Sequence, residues 1–564
     1  MTQKINKPIS GGKAVVECLK AHNIKYVFGL IGSATMEIFD ALYDEKSITF
    51  IDVRDERTGT HMADAYARAT GHPGVIIAGQ NGPGATNLVT GVAQAKAAFS
   101  PLLSIAGAIA TEHVGKDAFQ EVDQQKLFEP ITKKTFSIRN TRSISKDLNK
   151  ALNLSTEGKW GPVHVNIPRD VLSEKEIFNT FKVEKKIESK NIKIEDLEKI
   201  IYLIENSSKP VIICGAGVKN SKTQDDMILL SKILNIPIVS SAGHGDVITF
   251  DYDLYGGQMG PRGNKVASSL VKESDLILAI GTRLGFNSTF YSYDNISKLA
   301  KIVQVDIDPI AIGRYFPVDV GIQIDVKIFL NKIISLIKSK TLKNDNQKWV
   351  DNFLKEKVNY YKKRDQDADT NSKIIQPSGL FKELRNLIPK GSSITLDAGT
   401  LCLQATDEFN FFESKSLFTP LDFGLVGFSF AAGLGVKLAK PDLPVFSLMG
   451  DGGFGMTVSE LSTAVNHKIN TITIIMNNKS WGAEKAYQRD FFDQRYIGAD
   501  IESPPFHKLA EIYGAKGYHI TKLEDLRVSV SEALVCKKPA VINVEVDPKA
   551  LYSFRKDSFE HRSK

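Results

Sequence analysis

Asp451 and Asn478 are the side chains whose types and positions first indicate chemistry. Asp451 lies in a glycine-rich turn, residues 450–455, directly after the apolar run 445–449. Asn478 follows a second run rich in β-branched residues, 471–476. A helical pattern separates the two runs, so the segment predicts a strand, a helix and a strand. Because such units have parallel strands, both side chains are predicted to meet at one sheet edge, where ligands of open α/β sheets bind.

The glycines of this turn allow more than one ligand. Gly450, Gly452 and Gly455 also fit the dinucleotide pattern G-x-G-x-x-G, but that pattern needs an acidic residue after the second strand, where this chain has an amide. Asp451 would also repel a bare pyrophosphate. A cation such as Mg²⁺ removes the repulsion, since it binds carboxylate, amide and carbonyl oxygens together with diphosphate oxygens. A metal-bridged diphosphate on glycine N–H groups is therefore favoured over a dinucleotide or a purely structural turn.

The Gly-Asp-Gly turn followed by an Asn-Asn pair closely resembles the signature of thiamine-diphosphate enzymes. By this resemblance Mg²⁺ would be held by Asp451, Asn478 and the main-chain carbonyl of Ser480. The resemblance places the diphosphate of the cofactor at Gly450, Gly452 and Gly453. It also implies a glutamate, supplied by a separate domain, that activates the aminopyrimidine ring of the cofactor.

Glu56 is the candidate for that glutamate. It follows a predicted strand, 48–53, at a position where a carboxylate can meet a ligand. The structural alternative is an acidic residue that stabilises a helix N-terminus, because helix 58–70 follows and ends at Gly71. The segment 54–56 with 61–71 strongly resembles the activating-glutamate segment of the acetolactate synthase branch. That resemblance implies that Glu56 shares a proton with a ring nitrogen of the cofactor.

Alternating strands and helices run through the whole chain and predict an α/β protein. The resemblance implies three doubly wound parallel-sheet domains. We expect a pyrimidine-binding domain over 1–188, a central Rossmann-like domain over 189–345, a solvated helical linker over 346–376 and a diphosphate-binding domain with a tail over 377–564. The helix after the metal turn is predicted to begin with a capping box, Thr457 with Glu460.

Six further residues lie in turn segments that the resemblance places at the cofactor. Val426 stands where the family commonly has a bulky residue under the bent cofactor. The six are Gly82, Asn87, Gly399, Thr400, Gly424 and Val426. In the central domain, some family members hold FAD or ADP. Gly215 and Gly217 are only a lone pair of glycines after a strand, and such turns often connect elements without a ligand, so a nucleotide there is not favoured.

The sequence of several segments resembles one family within the branch, sulfoacetaldehyde acetyltransferase. The similar segments span nearly the whole chain and are 29–34, 79–84, 119–124, 165–170, 419–424, 481–485 and 554–557. The segment 84–91 is instead nearer to acetolactate synthase, so pyruvate decarboxylation with carboligation stays the alternative. A non-catalytic subunit is a third interpretation, which the retention of Glu56, Asp451 and Asn478 disfavours.

The sulfoacetaldehyde family implies a reaction of taurine and sulfonate breakdown, in which sulfoacetaldehyde and phosphate give acetyl phosphate and sulfite. Two anions must then enter one pocket, which requires fixed cationic donors. Lys485 and Arg555 are the candidates, and the alternative for each is a surface charge. Gln120 and Asn81 are candidates for neutral hydrogen bonds to the substrate.

The amino-acid composition argues against other classes of protein, such as nucleic-acid-binding and membrane proteins. The net charge of +7 comes from 72 basic and 65 acidic residues among 564, without a dense basic block, so nucleic-acid binding is not expected. Four widely spaced cysteines predict reduced thiols and a cytoplasmic protein. The absence of a long apolar run predicts no membrane association. Because thiamine enzymes form their cofactor cleft between two subunits, we expect a homodimer or homotetramer.

Overall fold

The computed structural model describes residues 7–181, 191–343 and 345–551. These residues form three six-stranded sheets in which all paired strands are parallel, and a hydrophobic cluster covers both faces of each sheet. The predicted fold class is thereby confirmed. The boundary predicted at 188 lies outside the described residues, and the boundaries at 345 and 376 stay predictions.

The N-terminal domain contains the first sheet, in the order β3-β2-β4-β5-β7-β6, and a small antiparallel pair, β1 with β8. Its strands are β1 Ile9–Ser10, β2 Tyr26–Gly29, β3 Thr49–Asp52, β4 Gly74–Ile77, β5 Leu102–Ala108, β6 Lys134–Ser137, β7 Val163–Pro168 and β8 Lys175–Glu176. Its helices are α1 Gly11–Ala21, α2 Met36–Asp44, α3 Glu56–Thr70, α4 Gly82–Ala97, α5 Gln124–Phe128, α6 Ile144–Thr156 and α7 Arg169–Ser173.

The central domain has the strand order of dinucleotide-binding folds, β11-β10-β9-β12-β13-β14. Its strands are β9 Pro210–Cys214, β10 Ile238–Ser240, β11 Tyr255–Gln258, β12 Leu276–Ile280, β13 Lys301–Asp306 and β14 Val320–Gln323. Its helices are α8 Ile194–Glu205, α9 Ala216–Asn220, α10 Gln224–Leu234, α11 Lys265–Glu273, α12 Phe286–Thr289 and α13 Val326–Lys338.

The predicted linker contains one long helix, α14 Gln347–Asp367. It is largely exposed, as expected, but Val350 and Phe353 are buried, and Phe353 joins the hydrophobic cluster of the central domain. The linker is therefore attached to the central domain rather than fully solvated.

The C-terminal domain contains the third sheet, β16-β15-β17-β18-β20-β19, which repeats the relative strand order of the first. Its strands are β15 Ser393–Leu396, β16 Leu417–Phe418, β17 Val445–Gly450, β18 Ile472–Asn477, β19 Lys516–Ile520 and β20 Ala540–Glu545. Its helices are α15 Pro377–Leu387, α16 Thr400–Glu408, α17 Ser429–Ala439, α18 Asp451–Gly455, α19 Leu461–Asn466, α20 Gly482–Phe491, α21 Phe506–Ile512 and α22 Leu526–Val535.

The N-terminal and C-terminal domains pack through α3 and α17. A Cβ on Gly435 would lie 2.0 Å from the carbonyl oxygen of Met62, so the two backbones approach too closely for any side chain there. One hydrophobic cluster continues across this contact and includes Tyr66 of α3 with Phe430 and Leu434 of α17. The relative position of these two domains is therefore fixed by a buried apolar interface.

The capping box predicted for the helix after the metal turn is wrong. Thr457 makes no side-chain cap, and the Glu460 carboxylate instead accepts hydrogen bonds from Arg54 N, at 2.9 Å, and from Thr58 Oγ1. Glu460 is fully buried, so its carboxylate joins the two domains rather than capping its own helix.

Two further predictions concern the whole chain. No helix among the described residues is long and apolar enough to cross a membrane. All four cysteines are free thiols, and Cys18, Cys214 and Cys402 are buried.

Candidate active site

The turn after β17 and the turn after β18 lie side by side. Strands β17 and β18 are paired in parallel, with Gly450 opposite Met476, so Asp451 and Asn478 emerge at the same edge. The main-chain N–H of Asn478 interacts with the Asp451 carboxylate. Lys479 has a positive φ of 55° and turns the chain between Asn478 and Ser480. The structure thus places the three expected metal ligands in one place.

The Asp451 carboxylate has one satisfied and one unsatisfied oxygen. Its Oδ2 accepts a hydrogen bond of 2.6 Å from Ser503 Oγ, whereas the buried Oδ1 has no partner among the described residues. Ser480 Oγ is likewise buried without a partner. Burial raises the pKa of Asp451, because the carboxylate loses water. A buried carboxylate oxygen in this state fits the binding of a divalent cation, which would supply the missing charge.

The glycines around this turn serve two different purposes. A Cβ on Gly450, Gly399 or Gly424 would meet nothing within 4 Å, so these three leave open space beside the turn. A Cβ on Gly452 would lie 2.6 Å from the Trp481 ring, and one on Gly453 would lie 2.1 Å from Asp397 Oδ2. The first group forms an open cradle, while the second allows close packing of the turn.

A cavity of about 410 Å³ opens at the same sheet edge. We call it the cofactor cavity. It is lined by nine of the residues predicted at the cofactor or the metal: Gly399, Thr400, Gly424, Val426, Gly450, Gly452, Gly453, Asn478 and Ser480. The cradle, the cavity and the unsatisfied oxygen of Asp451 together fit thiamine diphosphate with Mg²⁺.

Asp397 is a cavity residue that the sequence did not reveal. It is only 1% exposed and accepts hydrogen bonds from the N–H groups of Gly427, Phe428 and Ser429 at the start of α17. Burial raises its pKa to about 6, and these N–H donors act in the opposite direction. Asp397 therefore holds the segment that carries Val426. Ser503 was also missed, since it comes from an irregular segment without a motif.

Glu56 lies outside the cofactor cavity, in the N-terminal domain. Its Oε1 accepts a hydrogen bond of 3.3 Å from Gly79 N, and its Oε2 accepts one of 3.1 Å from Asn87 Nδ2. Gly82 packs against Gln120, whose carbonyl oxygen lies 2.7 Å from the position of a Gly82 Cβ. The structure thus pairs Glu56 with Asn87 and Gly82 with Gln120. No residue of the N-terminal domain lines the cofactor cavity of the described chain.

Of the two expected cationic donors, the structure describes only Lys485, and it does not place this residue at the cavity. Lys485 pairs with Asp500, lies over the Tyr496 ring at 5.4 Å and does not line the cavity. Arg555 lies outside the described residues. The only Lys or Arg side chain among the described cavity residues is Arg262 of the central domain.

Arg262 reaches the cavity from the turn between β11 and α11. Gly260 in this turn has a φ of 125°, which only glycine adopts readily. The guanidinium group lies 4.7 Å from the centre of the Phe290 ring. The Gly-Pro-Arg-Gly run at 260–263 was the available sequence signal.

The central domain has its own cavity, of about 150 Å³, beside the Gly215–Gly217 turn. Gly217 and Gly281 are in backbone contact there, and Asp306 at the end of β13 also lines the cavity. FAD or ADP at this position stays a prediction that was not favoured.

The sequence and the candidate site together define the class of protein to which the chain belongs. Residues 9–127, 197–333 and 397–544 match the N-terminal thiamine pyrophosphate binding domain, the central domain and the C-terminal thiamine pyrophosphate binding domain of thiamine pyrophosphate enzymes. The chain belongs to this family.

Its relatives carry two different activities. A probable acetolactate synthase large subunit from Methanocaldococcus jannaschii is 32% identical over 96% of this chain and 92% of the relative. The acetolactate synthase large subunit from Haemophilus influenzae is 31% identical over 96% of this chain and 95% of its own. Sulfoacetaldehyde acetyltransferase from Alcaligenes xylosoxydans xylosoxydans is 29% identical over 97% and 94%.

Proposed function

We propose that this chain is a thiamine-diphosphate-dependent acetyltransferase that converts sulfoacetaldehyde and phosphate into acetyl phosphate and sulfite. The observation that carries the proposal is the cofactor cavity itself, which is lined both by glycines of the Asp451 turn and by Arg262. Arg262 supports an anionic substrate, because a guanidinium matches sulfonate or carboxylate oxygens. The similarity of segments such as 481–485 to sulfoacetaldehyde acetyltransferases supports the sulfonate.

Each residue at the site has a defined part in this proposal. Asp451, Asn478 and the carbonyl of Ser480 would hold Mg²⁺, while the N–H groups of the glycine turn bind diphosphate oxygens. When bound, thiamine diphosphate supplies a nucleophilic carbon and a sink for electrons. Glu56 would hold a proton between its carboxylate and the aminopyrimidine ring. Arg262 would orient the substrate anion.

The proposed reaction balances without an external oxidant. The carbon–sulfur bond breaks and its electron pair leaves with sulfite. The aldehyde carbon is oxidised to the acyl level while the neighbouring carbon becomes a methyl group. A phosphate oxygen then takes the acetyl group. The protein must therefore exclude water from the acyl group, since water would release acetate instead of acetyl phosphate.

We also propose that the chain works as a homodimer or larger homo-oligomer. Glu56 is held by residues of the N-terminal domain, whereas the cofactor cavity is lined only by the central and C-terminal domains. A second copy that brings its N-terminal domain to this cavity would complete the site. A cytoplasmic location is supported by the four free thiols.

The test is a paired assay on purified protein with thiamine diphosphate and Mg²⁺. One arm contains sulfoacetaldehyde and phosphate and is followed for sulfite and acetyl phosphate. The other contains pyruvate and is followed for acetolactate. We expect phosphate-dependent sulfite release that is lost in Glu56→Gln. Acetolactate formation without sulfite would overturn the substrate and leave the cofactor site in place.

Acetolactate formation is the second candidate because relatives with that activity are as similar as the acetyltransferases. Pyruvate is also a small anion and would use the same cavity and the same Arg262. The two candidates differ in the leaving group, carbon dioxide or sulfite, in the oxidation level of the two-carbon unit, aldehyde or acyl, and in the acceptor of that unit.

A further inference from the structure

A small cavity of about 60 Å³ lies where the three domains meet, and we call it the junction cavity. It shares only Leu421 and Asp422 with the cofactor cavity, and it adjoins the cavity of the central domain. Its polar lining comes from all three domains and includes Arg68, Gln94, Lys219, His244 and Lys415. The lining is therefore rich in cationic and hydrogen-bonding groups.

Two of the three cations of the junction cavity have their own counter-ions. Arg68 Nε lies 3.1 Å from Asp64 Oδ1, and Lys219 Nζ lies 2.7 Å from Asp246 Oδ1. The other oxygen of Asp246 accepts hydrogen bonds of 3.0 Å and 3.1 Å from the N–H groups of residues 416 and 417. Asp422, the carboxylate among the lining residues, has its Oδ1 3.3 Å from the guanidinium of Arg283. All three carboxylates thus have partners other than Lys415.

Lys415 is the cation without a counter-ion. Its Nζ is buried and has no hydrogen-bond partner, and it lies 5.9 Å from the centre of the Trp160 ring. Burial lowers its pKa to about 8, and Lys222, Lys219 and Lys440 act in the same direction, while the Asp246 charge acts in the opposite one. The group is still protonated at neutral pH, so the fold buries an ammonium ion among other ammonium ions, which is costly unless an anion compensates.

Two neutral side chains also present unsatisfied atoms to the junction cavity. His244 Nδ1 and Gln94 Oε1 are buried without partners. Burial lowers the pKa of His244 well below its usual value, so the neutral ring can still donate one N–H. The oxygen and nitrogen of the Gln94 amide are interchangeable by rotation, which would turn an NH₂ group towards the cavity. Lysine, histidine and glutamine can therefore all act as donors.

We propose that the junction cavity binds one small tetrahedral oxyanion, inorganic phosphate or sulfate, with Lys415 as its main counter-charge. The cavity has room for more than one water-sized group, and its unsatisfied atoms are donors or can become donors. Because the lining comes from all three domains, the bound anion would hold them together. The site is separate from the proposed acetyl transfer and does not depend on it.

The competing explanation is that the end of a helix already compensates Lys415. Its Nζ lies 3.2 Å from the position of a Cβ on Gly71, the residue that ends α3. The negative end of a helix dipole attracts a cation. The two explanations differ because only the first makes the stability of the protein depend on an oxyanion.

Thermal unfolding in phosphate, compared with chloride at equal ionic strength, tests the proposal. The protein is first saturated with thiamine diphosphate and Mg²⁺, so that phosphate cannot act at the diphosphate turn. We expect saturating phosphate to raise the Tm of the wild type by about 2–5 °C, since a ligand that binds only the folded state stabilises it. Lys415→Met should lose this shift, except for the part that phosphate contributes as a substrate at the cofactor cavity.

Lys437→Met is the matched control. Lys437 is another half-buried lysine of the same domain, and its Nζ donates to the carbonyl oxygen of Leu443 away from the junction cavity. This variant should keep the full phosphate shift. The same shift in wild type and Lys415→Met, or no shift in wild type, would overturn the proposal.

Crystals of the wild-type holoenzyme grown with selenate give a second readout that does not depend on any variant. We expect an anomalous peak within hydrogen-bond distance of Lys415 Nζ. A peak only at surface lysines, or none, would count against the site even if phosphate stabilised the protein.

Discussion

At the scale of single residues, two charged groups are buried in the protein without a partner, and each lies at a cavity. Asp451 Oδ1 and Lys415 Nζ are both buried without partners, one beside the cofactor cavity and one at the junction cavity. Native proteins seldom leave such groups unpaired. Each therefore indicates a ligand of opposite charge, a cation in the first case and an anion in the second.

Replacing Asp451 by asparagine should separate cofactor binding from stability. We expect Asp451→Asn to weaken the binding of thiamine diphosphate with Mg²⁺ by about tenfold or more, because one of the proposed metal ligands is lost. Without cofactor, the Tm should be unchanged or higher, since a buried carboxylate with a raised pKa is replaced by a neutral amide. Calorimetric titration and thermal unfolding measure the two effects.

The exposed Asp442 provides the control for this prediction. Asp442→Asn lies in the same domain and should change neither quantity. Undiminished cofactor affinity in Asp451→Asn would contradict the assignment of Asp451 as a metal ligand.

Arg262 should affect the substrate rather than the cofactor. Arg262→Gln removes the cation from the cofactor cavity but leaves the diphosphate turn intact. We expect KM for the anionic substrate to rise by about 10- to 100-fold, as expected for a lost charge-assisted hydrogen bond, with unchanged cofactor affinity. Lys485→Gln, which removes a cation already paired with Asp500, is the comparison. A larger effect in Lys485→Gln than in Arg262→Gln would restore Lys485 as the substrate donor.

The residues that sequence reasoning found and missed differ in one physical respect. Asp451, Asn478 and Ser480 lie within one strand–helix–strand unit, so local pattern and topology were enough to bring them together. Asp397, Ser503 and Arg262 reach the same site from other turns of the fold. Their position depends on how distant elements and domains pack, which no local pattern encodes.

At the scale of elements, local sequence predicted strands well because their apolar runs are continuous. Strand β17 is one residue longer than the predicted run 445–449, and β18 is displaced by one residue from the predicted run 471–476. The capping box failed because Glu460 forms stronger buried contacts with Arg54 and Thr58, about four hundred positions away in sequence. The spacing of Thr457 and Glu460 fits a capping box, but Glu460 instead binds the N-terminal domain.

The interface of α3 with α17 should be sensitive to acid. His61 on α3 is fully buried, neither ring nitrogen has a partner, and burial lowers its pKa to about 3. The unfolded chain has the ordinary value near 6.5 and therefore binds more protons below that pH. The stability that neutral His61 permits is present above pH 6.5 and is lost as the pH falls towards 3.

This proton linkage makes the free energy of unfolding depend measurably on pH. Between pH 7 and pH 5 we expect His61 alone to cost the wild type about 2 kcal/mol of unfolding free energy. His61→Leu should remove this part of the loss of unfolding free energy. The part caused by His164 should remain, because His164 is equally buried and its pKa is also lowered to about 3. His72→Leu, at an exposed position just after α3, should not change the slope. Parallel pH profiles of wild type and His61→Leu would contradict the prediction.

At the scale of the whole molecule, the two halves of the expected cofactor site do not meet within the described chain. Glu56 and Asn87 belong to the N-terminal domain, and the Asp451 turn belongs to the cofactor cavity. The same chain nevertheless packs these domains tightly through α3 and α17. That contact, which uses α3 from its start at Glu56, is a closed apolar interface and not an open cleft. The proposed second copy would supply the missing half of the site.

Mixing two inactive variants tests this arrangement directly. Glu56→Gln removes the proposed activating carboxylate, and Asp451→Asn removes the proposed metal ligand. If each site uses Glu56 of one chain and Asp451 of its partner, a mixed dimer has one doubly defective site and one fully intact site. Random association of equal amounts makes half of the dimers mixed, so about a quarter of wild-type activity should return. If each chain forms its own site, every site keeps one defect and no activity returns. Activity measured after co-expression, with each variant expressed alone as the control, decides between the two arrangements, and the absence of any recovery in verified mixed dimers would exclude the shared site.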